Sequence, residues 1–157
     1  MRIIEDDLSG PAIRALLEVH FAGMLANSPA GSCHFLDVEG LKAPGVTFWS
    51  IWDGDALAGM GALKRHDAVL GEVKSMRTHD AFQRRGVAAA MLGHIIATAR
   101  AEGLELLGLE TGTSPAFDAA HALYLRHGFA DCPPFADYQP DPFSRFMSLK
   151  LNENVMG

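Results

Sequence analysis

A chain of 157 residues, 48% hydrophobic and 20% charged, is the length of one domain and has enough apolar residues for a core. Its formal net charge of -6 argues against a nucleic-acid partner, which would need broad basic surface. No run approaches the roughly 20 apolar residues of a membrane helix, and wholesale disorder is excluded, only 152–157 being expected as a flexible tail.

The opening Arg2-Ile3-Ile4 reads as a short strand, and Glu5-Asp6-Asp7 turns acidic where a secretory leader would be apolar. Ser9 is placed to cap a helix whose apolar positions Ile13, Leu16, Leu17, Phe21 and Met24 share one face. Pro29, Gly31 and Ser32 break it. Between residues 33 and 45 the pattern allows a short helix around Phe35 to Leu41, closed by Pro44-Gly45. Cys33 and Cys132 have no disulfide spacing, which fits a reducing cytoplasm.

Val46 to Trp52 is rich in β-branched and aromatic residues, and Asp53-Gly54-Asp55 signals a tight turn into a returning strand, Ala56 to Lys64. A third strand, Gly71 to Thr78, should alternate, with Val73, Ser75 and Arg77 on one face and Glu72, Lys74 and Met76 on the other. The period then changes. Val87, Met91, Leu92, Ile95, Ile96 and Ala99 recur at helical spacing up to Gly103. Leu104 to Thr111 reads as a strand covered on both faces, Pro115 to Arg126 as a helix, 133–142 as a proline-bracketed loop, and Phe143 to Leu151 as a last strand. With no repeat and no linker, residues 1–151 form one α/β domain with a mixed sheet.

The chemistry starts at Gln83-Arg84-Arg85-Gly86-Val87-Ala88, between a strand and the amphipathic helix. The first N–H groups of a helix lack partners and carry positive potential, so they suit an anion such as a diphosphate. Gly86 admits close approach, Val87 and Ala88 begin the helix, and Arg84 and Arg85 can add charge-assisted contacts. Neither the Lys-Ser/Thr of a Walker loop nor three dinucleotide-type glycines are present. The same residues would also serve simply to start a helix after a basic turn. The seven histidines show no metal spacing, and no metal is expected.

Here the chain resembles the GNAT superfamily of acyl-CoA-dependent N-acyltransferases. Gln83, Gly86 and Ala88 match its central signature, and Ala120, Leu123-Tyr124 and Gly128-Phe129 match its second, the similarity running over about residues 46 to 130. The segment from Phe135 to Ser144 is similar to a bacterial branch of small-molecule acetyltransferases. The resemblance implies a layered α+β fold with a mixed, mostly antiparallel sheet and helices on both faces. It further implies acetyl-CoA as donor, bound between the 71–78 and 104–111 strands, and a small-molecule or peptide amine as acceptor. Relatives are often dimers, which leaves a homodimer open. An acyl-CoA sensor without catalysis is the alternative.

The roles follow the motifs. Tyr124 is expected as the acid that serves the departing thiolate, unless it is a core tyrosine. Glu72, eleven residues before Gln83, is expected as the base, unless it pairs with Lys74 or Arg65. Met76, Arg77 and Thr78 should present backbone groups to the pantetheine arm, Met76 also to the oxyanion, unless they pair in the ladder. Phe117 stands where many relatives carry a cofactor-binding Asn, so that contact is lost or replaced by packing. His34, Asp37, Trp49 and Tyr138 are the candidates for touching the acceptor.

Overall fold

The computed structural model describes residues 1–29 and 36–151. Strands β1 (Arg2–Glu5), β2 (Val46–Asp53), β3 (Ala56–Arg65), β4 (Leu70–Thr78), β5 (Leu106–Gly112), β6 (Ala130–Asp131) and β7 (Ser144–Lys150) form one sheet. Its order is β1-β2-β3-β4-β5-β7-β6, and every pairing is antiparallel except β4 with β5. Helices α1 (Pro11–Asn27), α2 (Val38–Leu41), α3 (Val87–Ala101) and α4 (Asp118–Arg126) complete the fold. No helix among the described residues is long and apolar enough to cross a membrane.

The expected elements are present, with local corrections. Gly10 rather than Ser9 sits at the N-cap of α1, because the Ser9 hydroxyl is held by Asp7 at 2.6 Å. A single 3₁₀ turn, Pro115–Phe117, precedes α4. Two-residue β6, which sequence pattern could not reveal, extends the sheet beyond β7.

Two apolar layers flank the sheet. On one face α3 and α4 pack Met91, Leu92, Ile95 and Tyr124 against Ile51, Leu63 and Val73. On the other, Ile13, Leu16 and Leu17 of α1 and Leu41 of α2 cover Phe48, Met60 and Ala62. The alternation expected along β4 fails at Ser75. That residue takes a left-handed φ of 58°, and the register with β3 slips between Met60 and Ala62. A bulge inserts one residue and reverses the facing of everything after it. Met76 therefore packs on the α3 layer with Val73, whereas Arg77, opposite Met60, faces α1 with Glu72 and Lys74.

Gly59 sets how closely α3 approaches. A Cβ there would lie 2.8 Å from Val87 Cγ1 and 2.9 Å from the Arg77 carbonyl. Neither atom yields easily, one being on a stiff β-branched side chain and the other backbone. Gly59→Ala is therefore expected to lose about 2 kcal/mol by overpacking. Thermal denaturation should show a Tm lower by roughly 4–8 °C.

Candidate active site

Pairing between β4 and β5 covers Leu70↔Leu106, Gly71↔Leu107 and Glu72↔Gly108, and then stops. Both strands continue, β4 to Thr78 and β5 to Gly112, but β5 stays with β7 while β4 stays with β3. The two diverge and leave a gap in the middle of the sheet. Along it β4 offers main-chain groups without a strand partner on the β5 side, an edge that an extended ligand can pair with.

A cavity of about 620 Å³ fills this gap. Its floor is β4, including Met76, Arg77 and Thr78. At one end it reaches Gln83, Arg84, Gly86, Val87 and Ala88. Gly86 caps α3 at φ 78° with no side-chain acceptor, so the N–H groups of the first turn are bare, and nothing stands within 4 Å of where its Cβ would be. Arg84 also takes a left-handed φ, 64°, a strained value for a residue with a Cβ that turns backbone N–H groups toward one side. Of the predicted loop residues Arg85 does not line the cavity. Its guanidinium lies 5.4 Å above the Phe82 ring.

The far wall comes from α4 and the turn before it, with Phe117, Leu123 and Tyr124. The Phe117 ring packs directly on Gly112, where any side chain would collide. Tyr124 is buried, and burial together with the Glu110 charge pushes its phenol up to about 12.

Glu72 does not line this cavity. Its carboxylate is 1% exposed and fully engaged, with His66 Nε2 at 2.7 Å, the Tyr138 hydroxyl donating at 2.7 Å and Lys74 Nζ at 3.4 Å. Lys74 also donates to the Tyr138 oxygen at 2.9 Å. Burial and the Glu72 charge push the Tyr138 hydroxyl far above its usual range. Arg65, the other anticipated partner of Glu72, pairs with Glu102. These groups border a second cavity of about 490 Å³ beneath the 136–141 loop, and Lys74 lies in the wall of both cavities.

The other acceptor candidates separate. Tyr138 lines the second cavity. Asp37 is consumed locally, its Oδ1 capping α2 by accepting from Gly40 N at 2.8 Å. Trp49 is a correction: it lies in the α3-side core, 4% exposed and edge-on to His94, lining neither cavity. His34 lies outside the described residues.

Sequence reasoning missed Glu110. It lies in the first cavity on β5, two residues beyond Gly108, and therefore on the same sheet face as Glu72 and Lys74. Burial pushes its carboxyl up to about 7; Ser144 and Lys74 oppose the rise, while Glu72 and Asp141 add to it. The available signal was a carboxylate directly after the apolar run Leu106 to Leu109. Glu110 and Tyr124 reach the gap from opposite faces of the sheet, close enough for Glu110 to raise the Tyr124 pKa. A carboxylate and a phenol thus both border the place where the strands part.

The sequence model of the Acetyltransferase (GNAT) family matches residues 14–129. The uncharacterized N-acetyltransferase YedL of Escherichia coli K12 is 57% identical over 149 residues, 95% of this chain and 94% of its own. The uncharacterized N-acetyltransferase YsnE of Bacillus subtilis 168 is 49% identical over 151 residues, 96% of this chain and 100% of its own. Among solved structures, a Bacillus subtilis acetyltransferase in complex with CoA superposes with a TM-score of 0.70 at 18% identity, covering 96% of this chain and 98% of that one. A bare helix start beside a parted parallel strand pair, a family match over most of the chain and close relatives of full length lead to one conclusion: the chain belongs to the GNAT family of acetyltransferases.

Proposed function

We propose that this protein transfers the acetyl group of acetyl-CoA to a primary amine, the amine attacking directly while both substrates are bound. The observation that carries the reading is the gap between β4 and β5, with a bare helix N-terminus at one end and Glu110 and Tyr124 inside it. Its residues fit the coenzyme. The N–H groups of Val87 and Ala88, with Arg84, suit the diphosphate, and the free edge of β4 suits the amide-bearing arm. Acetyl-CoA supplies the activated thioester carbonyl.

The protein must remove a proton from the amine, since an alkylammonium, with a pKa of about 10.4, is no nucleophile. Glu110 takes the base role first expected of Glu72, because it borders the gap and its raised pKa makes it a stronger proton acceptor than an ordinary carboxylate. Glu72 instead anchors Lys74 and Tyr138. The Met76 N–H is the donor for the oxyanion. Tyr124 acts at sulfur. A phenol raised to about 12 keeps its proton, and a thiolate of ordinary basicity, pKa about 8.5, cannot strip it away. Its contribution is a hydrogen bond that strengthens as charge develops on sulfur.

Thiol release measured across an amine panel with acetyl-CoA tests the function. Coenzyme binding without thiol release from any amine would favour the sensor alternative. Tyr124→Phe removes one charge-assisted hydrogen bond and is expected to lower kcat roughly 10- to 100-fold, with acetyl-CoA affinity little changed. A variant that turns over within twofold of the parent would remove Tyr124 from the chemistry.

A further inference from the structure

We infer that the acceptor amine carries a carboxylate and that the Arg77 side chain binds it, an inference that rests on the transfer reading above.

The Ser75 bulge turns Arg77 away from the α3 layer and toward α1. Its Nε donates to His20 Nδ1 at 3.1 Å, and its guanidinium lies against Gly23, all three residues lining the first cavity. His20 is 5% exposed, and burial, helped by the Arg77 charge, pushes it down to about 4, so it is a neutral acceptor that leaves the guanidinium charge uncompensated. Asp80 influences Arg77 only at longer range. The other two arginines held in place by side chains, Arg65 and Arg145, each grip a carboxylate. Arg77 has none within salt-bridge distance among the described residues, and its terminal nitrogens make no hydrogen bond to any of them.

A half-buried guanidinium left so is costly unless a ligand completes it. Its planar fork matches a carboxylate in bidentate fashion. Glu110 shares the cavity and the sheet face. In the β4–β5 register Lys74 is level with Glu110, and Arg77 lies three residues on, one of them within the bulge. At roughly 3.3 Å per residue this separates the two levels by about 7–10 Å, a span that two inward-reaching side chains close onto a molecule of amino-acid size. The amine would meet Glu110, the carboxylate Arg77.

The test uses matched acceptors: free amino acids, their carboxamides and the corresponding decarboxylated amines, each with acetyl-CoA and a thiol readout. The intact protein should prefer the carboxylate member by roughly 10- to 100-fold in kcat/KM. Arg77→Met should bring that ratio close to one, mainly through KM, and Arg77→Lys should restore part of it. Equal use of the matched acceptors by the parent, or a ratio that survives in Arg77→Met, overturns the inference. So does a loss of acetyl-CoA affinity in calorimetry that equals the loss for the acceptor, since the guanidinium would then serve the donor. No turnover with any amine, despite acetyl-CoA binding, sinks the transfer reading itself and is told apart by that binding.

Discussion

Glu110→Gln is expected to lower kcat by roughly 10²- to 10⁴-fold, the usual worth of a positioned general base, and at the same time to stabilise the folded protein above neutral pH. The two effects have one cause. Burial holds the Glu110 carboxyl at about 7 against an ordinary value of 4.5. Across that window the native chain binds more protons than the unfolded one, so its stability falls as pH rises and levels off above pH 7. An amide at this position carries no such penalty. At pH 8 the variant should be more stable by on the order of 1–3 kcal/mol, the lower figure allowing for the part of the side chain that meets solvent. In the parent, kcat/KM should gain a rising limb near pH 7 that the variant lacks. Glu72→Gln supplies the contrast. It leaves Lys74 and Tyr138 without their shared carboxylate, so its main effect should be a lower Tm. If the pH 7 limb vanished with Glu72→Gln and persisted in Glu110→Gln, the base would be Glu72 after all.

Gly86→Asp should weaken acetyl-CoA binding at least 100-fold while leaving the fold intact. The backbone there has φ 78° and ψ 13°, and aspartate tolerates the left-handed region better than most residues. Nothing lies within 4 Å of the new Cβ, and an acidic side chain is welcome at a helix start. The added charge would sit where the diphosphate is proposed to bind. Two unit charges about 4 Å apart at an effective dielectric of 20 repel by about 4 kcal/mol. Isothermal calorimetry measures the affinity and circular dichroism the fold, with Gly86→Ala separating backbone strain from charge. Unchanged affinity in a folded Gly86→Asp protein would refute the loop assignment.

Much of this protein was legible along the chain because the relevant signals are local. Helix α3 announces itself by the spacing of Val87, Met91, Leu92 and Ile95, all of which are buried. The β2–β3 hairpin is written in Asp53-Gly54-Asp55. The phosphate-type loop depends on six consecutive residues, so reading it needed no knowledge of what lies across the sheet. Tyr124 was read the same way, from a motif that covers α4 and the turn after it. Asp37 shows the limit of such reading, since its polar side chain caps a helix only four residues long.

What only the folded chain decided concerns partners distant in sequence. The bulge at Ser75 depends on how β3 aligns with β4, and it moves Arg77 from the face that simple alternation assigns to the face of α1. Glu72 and Glu110 are both carboxylates on strands. Their surroundings differ because β4 and β5 pair at one end and part at the other, with Tyr138 arriving from a loop 66 residues away to bind the first and the open gap left to the second. Composition and periodicity can say which residues form a strand and which side they face. The position where two strands cease to bond is fixed by everything packed against them, and in this protein the proposed chemistry is located there.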